Sequence, residues 1–114
     1  MEQKDTLVTI TRDGLGHADP QLQRRLLGVW LKLTLENGTL PGAIACYTDG
    51  VRMACEGSPV LEELRALEER GVHVILCKTC LDAFDLGDKV GVGVVGGMGD
   101  ILAAQVKAKK VVAL

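Results

Sequence analysis

The chain of 114 residues has room for one domain, so residues 1–114 are expected to form a single globular unit. Apolar residues make up 47% and charged residues 25%, with one Phe, one Trp and one Tyr, so the core is aliphatic and disorder is excluded. The formal net charge of -2 comes from interspersed acids and bases. It leaves no basic stripe or aromatic platform for nucleic acid, and no apolar run is long enough to cross a bilayer.

The chain opens "MEQKD", without the apolar core of a signal peptide, and runs directly into a strand pattern, which places it in the cytoplasm by expectation. Four cysteines in a reducing compartment have to be explained by chemistry or burial rather than by disulfides.

Five short aliphatic runs alternate with helical patterns. The first, "TLVTIT", leads through the loop "TRDGLGH" to a helix with Asp19 as N-cap and Pro20 at its first position. Leu22, Leu26, Val29, Trp30 and Leu33 recur there at helical spacing, which predicts that this stripe faces the sheet, and the helix closes near Asn37-Gly38. The second run, "AIACYT", contains Cys46 and precedes a short helical turn over residues 50–56, where Cys55 lies beside Met53 and Ala54. Both thiols read as packing. A second helix follows, capped by Ser58 and Pro59, with Leu61, Leu64 and Leu67 inward, six charged side chains outward and a stop at Gly71.

The third run, "VHVILC", contains His73, read as a core or edge residue, and ends at Cys77 in the turn "CKTC". Thr79 and Asp82 have the spacing of a capping box, predicting Thr79 as N-cap and Cys80 as the first residue of a short helix. Amides and dipole at such a position stabilise an anion, and Lys78 adds to the effect, so Cys80 is expected to be partly thiolate. Cys77 is either inert core or a resolving thiol turned towards Cys80.

The fourth run, "VGVGVV", reads as a strand whose Gly91 and Gly93 clear one face for a closely packed helix; the letters Gly91-x-Gly93-x-x-Gly96 do not make a dinucleotide fingerprint inside a strand. Gly96, Gly97 and Gly99 could form an anion-binding nest. A last helix over residues 99–107 offers Ile101, Leu102 and Val106 to the core before the strand "KVVAL".

This alternation predicts an α/β fold, and runs apolar at consecutive positions indicate a parallel sheet covered on both faces. Ligands of such sheets bind at the carboxyl ends of the strands, where the candidate contacts are Asp13, Asp49, Lys78, Thr79 and Gly97, with His17 in the first loop a possible base. The cysteine spacing does not suit zinc, and neither a metal nor a cofactor is expected. A thioredoxin-like dithiol lacks a flanking proline. A nucleophilic cysteine that carries sulfur as a persulfide needs one accessible thiol and exchange chemistry, which Cys80 suits best.

The stretches "TRDGLGHADPQL", "LLGVWLKLTLENGTLPGAIACYTDGVRMACEGSPVLEELRALEERGVHVILCKTCLDAFDL" and "GGMGDIL" resemble the DsrE-like domain of the YedF group of sulfurtransferase-like proteins linked to selenium metabolism. The resemblance implies a three-layer α/β/α sandwich with a five-stranded parallel sheet. It also implies kinship with sulfur-relay proteins of the DsrE and TusD type, in which a loop cysteine corresponding to Cys80 bears the persulfide. Sulfur donor and acceptor proteins and a homo-oligomer are the implied partners. Members of the group usually carry Gly-Thr-Cys where this chain has Lys78-Thr79-Cys80, and often a TusA-like domain ahead of this one, which the 114 residues do not include. The functional expectation is a persulfide sulfur carrier or sulfurtransferase-like protein acting through Cys80. Its alternatives are a non-catalytic assembly or regulatory subunit, and a thiol redox protein using Cys77 and Cys80.

Overall fold

The computed structural model describes residues 3–114. Strands β1 (Gln3–Ile10), β2 (Pro41–Cys46), β3 (His73–Cys77), β4 (Val94–Gly96) and β5 (Lys110–Ala113) form one parallel sheet in the order β4-β3-β2-β1-β5. Helix α1 (Pro20–Asn37) joins β1 to β2; a 3₁₀ segment (Thr48–Ala54) and α2 (Leu61–Glu69) join β2 to β3. Helix α3 (Lys78–Ala83) follows β3, and α4 (Met98–Lys107) joins β4 to β5. This is the α/β architecture that the alternation of runs and helices predicts.

The first three crossovers step one way across the sheet, so right-handed connection puts α1, α2 and α3 on one face; the return from β4 to β5 puts α4 on the other. The switch between faces falls between β3 and β4, where Cys77 and Gly96 are paired, and that is where sheets of this type leave a crevice.

Helix α1 begins and ends as its sequence predicts. The Asp19 carboxylate accepts from the Gln21 and Leu22 amides at 2.9 and 3.4 Å, and Gly38 closes the helix at φ 68°. Its buried face is not the predicted one. Leu22, Leu26, Val29 and Leu33 are between 42% and 49% exposed, whereas Gln23, Leu27, Leu31 and Thr34 are buried. The helix is turned by about one residue, roughly 100°. Two polar side chains can face inward because each has a partner: Gln23 Oε1 accepts from the Ala18 amide at 3.0 Å, and Thr34 Oγ1 donates to the Trp30 carbonyl at 2.8 Å.

Helix α2 starts later than predicted. Ser58 Oγ accepts from the Val60 amide at 3.1 Å and so closes the preceding turn rather than the helix, while Leu64 and Leu67 are buried as expected. In α4 only Ile101 of the three predicted residues reaches the core; Leu102 and Val106 are 58% and 78% exposed.

The fourth strand is cut to three residues. Gly93 sits at φ 88°, a conformation no strand adopts, and residues 89–91 bond instead to the segment before α2: the Glu56 amide donates to the Lys89 carbonyl and the Gly91 amide to the Ala54 carbonyl, both at 2.8 Å. Gly91 does leave room for a helix, since a Cβ there would stand 3.0 Å from Leu61 Cδ2 of α2. Gly93 does not; a Cβ there would meet Leu76 and Val74 of β3. None of the three fingerprint glycines therefore lies inside a strand except Gly96, the last residue of β4.

Candidate functional site

The carboxyl ends of the strands bring together the loop after β1, residues 48–50 after β2, the start of α3 after β3 and Gly97 after β4. Cys80 belongs to this edge but not where the capping-box reading puts it. Helix α3 starts at Lys78, Cys77 occupies the N-cap position without a side-chain bond, and Cys80 is the third residue of a six-residue helix. Asp82 does not return to cap the turn because its carboxylate takes the Lys78 ammonium at 2.7 Å. Thr79 is exposed in the first turn. Lys78 therefore spends its charge on its own helix, in a surface pair of small energetic weight.

The donor that meets the Cys80 sulfur comes from another loop: the Thr48 amide donates to Cys80 Sγ at 3.0 Å. Thr48 has φ 50°, unusual for a β-branched residue, and its hydroxyl donates to the Thr11 carbonyl at 2.5 Å with the Tyr47 carbonyl at 2.6 Å. In the sequence Thr48 both ends the run "AIACYT" and belongs to the loop "YTDG" after it, and the signal for its place is the "TDG" turn that it opens.

The Cys80 thiol is pushed up, against the expectation of a partial thiolate. Burial is the largest cause, the hydrogen bond with the Cys77 thiol acts in the same direction, and the Thr48 amide opposes them. The groups expected to favour the anion are engaged elsewhere, since Cys80 lies at the third position of α3 and Lys78 is paired with Asp82, so burial and Cys77 prevail. At rest Cys80 is a half-buried thiol beside Cys77, itself 1% exposed. Cys77 stands near enough for the two thiols to act on each other.

The other candidates are drawn elsewhere. Asp13 Oδ2 accepts from Arg24 Nη2 of α1 at 2.7 Å, while its Oδ1 is buried without a hydrogen-bond partner. Asp49 pairs with Arg52 at 3.2 Å, and the Arg52 guanidinium lies 4.2 Å from the centre of the Phe84 ring at the end of α3. The glycine nest is filled from within: the Gly97 amide donates to Asp100 Oδ2 at 2.9 Å, leaving that carboxylate where an anion was expected. His17 is exposed, and the contacts of the Cys80 sulfur are Thr48 and Cys77. His73 opens β3 at the opposite edge of the sheet.

Cys46 and Cys55 are buried in the core. Burial, and then the neighbouring Cys55, push the Cys46 thiol up to about 12; burial likewise raises Cys55, with Arg52 opposing and Glu56 adding. Among the described residues no three His, Cys, Asp or Glu side chains are grouped as a metal ion would require. No helix among them is long and apolar enough to cross a membrane.

Three solved structures share the whole architecture. The ychN protein from E. coli is 21% identical, with full coverage of both chains and a TM-score of 0.68. Protein MTH1491 from Methanobacterium thermoautotrophicum is 19% identical over 96% of this chain and 97% of its own, with a TM-score of 0.69. Protein BT1422 from Bacteroides thetaiotaomicron is 16% identical over 96% and 95%, with a TM-score of 0.66. Comparison with curated proteins found no match. These similarities establish the fold, while a model of the DsrE/DsrF-like family matches residues 28–114, the stretch from mid-α1 through every later element including the Thr48–Cys80 contact. By that match, the chain belongs to the DsrE/DsrF-like family.

Proposed function

We propose that Cys80 accepts a sulfane sulfur from a persulfide donor and passes it on, as a carrier in intracellular sulfur or selenium relay of the kind that the resemblance to the YedF group suggests. The observation that carries this reading is the Thr48 amide aimed at Cys80 Sγ, a fixed donor suited to an anion on that sulfur. In the loading step the Cys80 thiolate attacks the outer sulfur of the donor. The bond between the two donor sulfurs breaks, a bond between Cys80 Sγ and the transferred sulfur forms, and the electron pair leaves on the donor's own thiolate. No net oxidation occurs. The raised Cys80 thiol gives up its proton as it attacks, and the departing donor thiolate can take it, so the step leaves charge and protons balanced.

Discharge follows one of two balanced routes. An acceptor thiolate takes the outer sulfur and releases Cys80, or Cys77 attacks Cys80 Sγ, expels hydrosulfide and leaves a Cys77–Cys80 disulfide. In the second route two thiols are oxidised as the sulfane sulfur is reduced. Mass spectrometry after incubation with a low-molecular-weight persulfide donor should show added sulfur on the wild type and on Cys77→Ser, and none on Cys80→Ser. Sulfur spread over all four cysteines would sink the proposal.

A second reading, an assembly or regulatory subunit, is favoured by a different observation. Leu22, Leu26, Val29 and Leu33 line one exterior face, and Met98, Leu102 and Val106 of α4 the other, beside an open groove of about 510 Å³ whose lining includes Val74, Ile75, Val94 and Val95. The two readings combine readily in a homo-oligomeric carrier.

A further inference from the structure

We infer that Thr48 is a positioning residue: its hydroxyl, bonded to the Thr11 carbonyl, holds its own backbone in the left-handed conformation that aims its amide at Cys80 Sγ. The inference rests on the reading of Cys80 as the reactive thiol and deepens it by naming what sets that thiol's environment.

The backbone at φ 50° is a costly place for a β-branched side chain, and glycine is the usual solution. What threonine adds over glycine is the hydroxyl, and here the hydroxyl reaches the Thr11 carbonyl across to the end of β1. The surrounding loop is anchored to the same strand. The Tyr47 amide donates to the Ile10 carbonyl at 3.1 Å, and Gly50 lies so close to that carbonyl that a Cβ could not be accommodated. Two fixed points therefore flank Thr48, and its hydroxyl supplies a third. With all three in place the 3.0 Å amide contact to sulfur is built before any substrate arrives.

The charges packed around Cys80 do not supply this contact. The 3₁₀ segment carries Asp49 and Arg52, which pair with each other. β3 contributes the Cys77 thiol, and α3 itself carries Lys78 and Asp82, also paired, with Asp85 just beyond its end. In this setting Thr48 is the group that favours the anion and Cys77 the group that disfavours it.

The test is the pH–rate profile of Cys80 alkylation by iodoacetamide in the full chain, resolved by site with mass spectrometry, with free glutathione in the same reaction as reference. Thr48→Val loses the hydroxyl and should move the Cys80 midpoint upward by about one pH unit, roughly a tenfold slower reaction near neutrality. Thr48→Gly should move the same way, because its relaxed backbone no longer holds the amide on the sulfur. Thr48→Ser keeps the hydroxyl and should stay within about twofold of wild type. Profiles that coincide for all variants would overturn the inference, as would a Gly variant behaving like wild type or a shift shared equally by the glutathione reference. If the Val variant does not fold, the contrast between Ser and Gly decides alone. A wild type that takes up no sulfur while these profiles separate removes the relay reading and leaves the strap standing; uptake with coincident profiles does the reverse.

Discussion

At the scale of single residues, the four thiols are sorted by what surrounds each sulfur. Cys80 has an amide donor and partial access to solvent, Cys77 has a sulfur neighbour and no access, Cys55 is buried near the Arg52 charge, and Cys46 has neither donor nor access. The last case makes a stability prediction. Cys46 is raised from its ordinary 9.0 to about 12, so above pH 9.0 the unfolded chain gives up that proton while the folded chain keeps it. The unfolded state then binds fewer protons, and stability falls as pH rises through this window, by about 1.4 kcal/mol per pH unit from this group. Below it the group contributes no slope. Urea unfolding at several pH values across the window should show a steeper loss for wild type than for Cys46→Ala; parallel slopes would contradict the assignment. The thiol turn was legible in the sequence as a place, because "CKTC" closes an aliphatic run, but its electrostatics were not. Spacing shows that Thr79 and Asp82 could cap each other; it does not show that Lys78 competes for the same carboxylate, or that an amide from residue 48 reaches the sulfur.

At the scale of elements, α1 shows how a helix can satisfy two apolar stripes at once. Leu22, Leu26, Val29 and Leu33 and the set Leu27 and Leu31 are both at helical spacing, so periodicity identifies the helix without fixing its rotation. The rotation is settled by Gln23 and Thr34, whose inward position depends on backbone partners that no hydrophobic pattern contains. Leu27→Ala should cost about 2–5 kcal/mol, as large-to-small changes in a packed core do, whereas Leu26→Ala should stay within about 0.5 kcal/mol. Chemical denaturation of the two variants checks this, and equal losses would return α1 to the rotation read from its sequence. The caps of α1 were legible because Asp-Pro and Asn-Gly act locally. Strand β4 was not, because residues 89–91 are claimed by the turn before α2, a partner more than thirty residues upstream in the chain.

At the scale of the whole molecule, the parallel α/β sheet was legible from the alternation of runs and helices, and the strand order follows from right-handed crossovers once α4 is seen to return across it. With α1 and α4 each presenting apolar side chains outward on opposite faces, the protein is expected to self-associate, and light scattering should give a mass several times the 12.1 kDa of one chain. Val106→Lys, at the most exposed of these positions, should reduce that mass, and a wild type at 12.1 kDa would remove the expectation.

The return through α4 also determines when the sheet can close. Strand β1 lies between β2 and β5, and its pairing of Thr6 with Lys110 joins positions that are far apart along the chain. Of the five strands the last to leave the ribosome is thus the one that shields a flank of the first. Until then Leu7 and Val8 belong to a strand with an open hydrogen-bonding edge, a template on which any other free strand can pair.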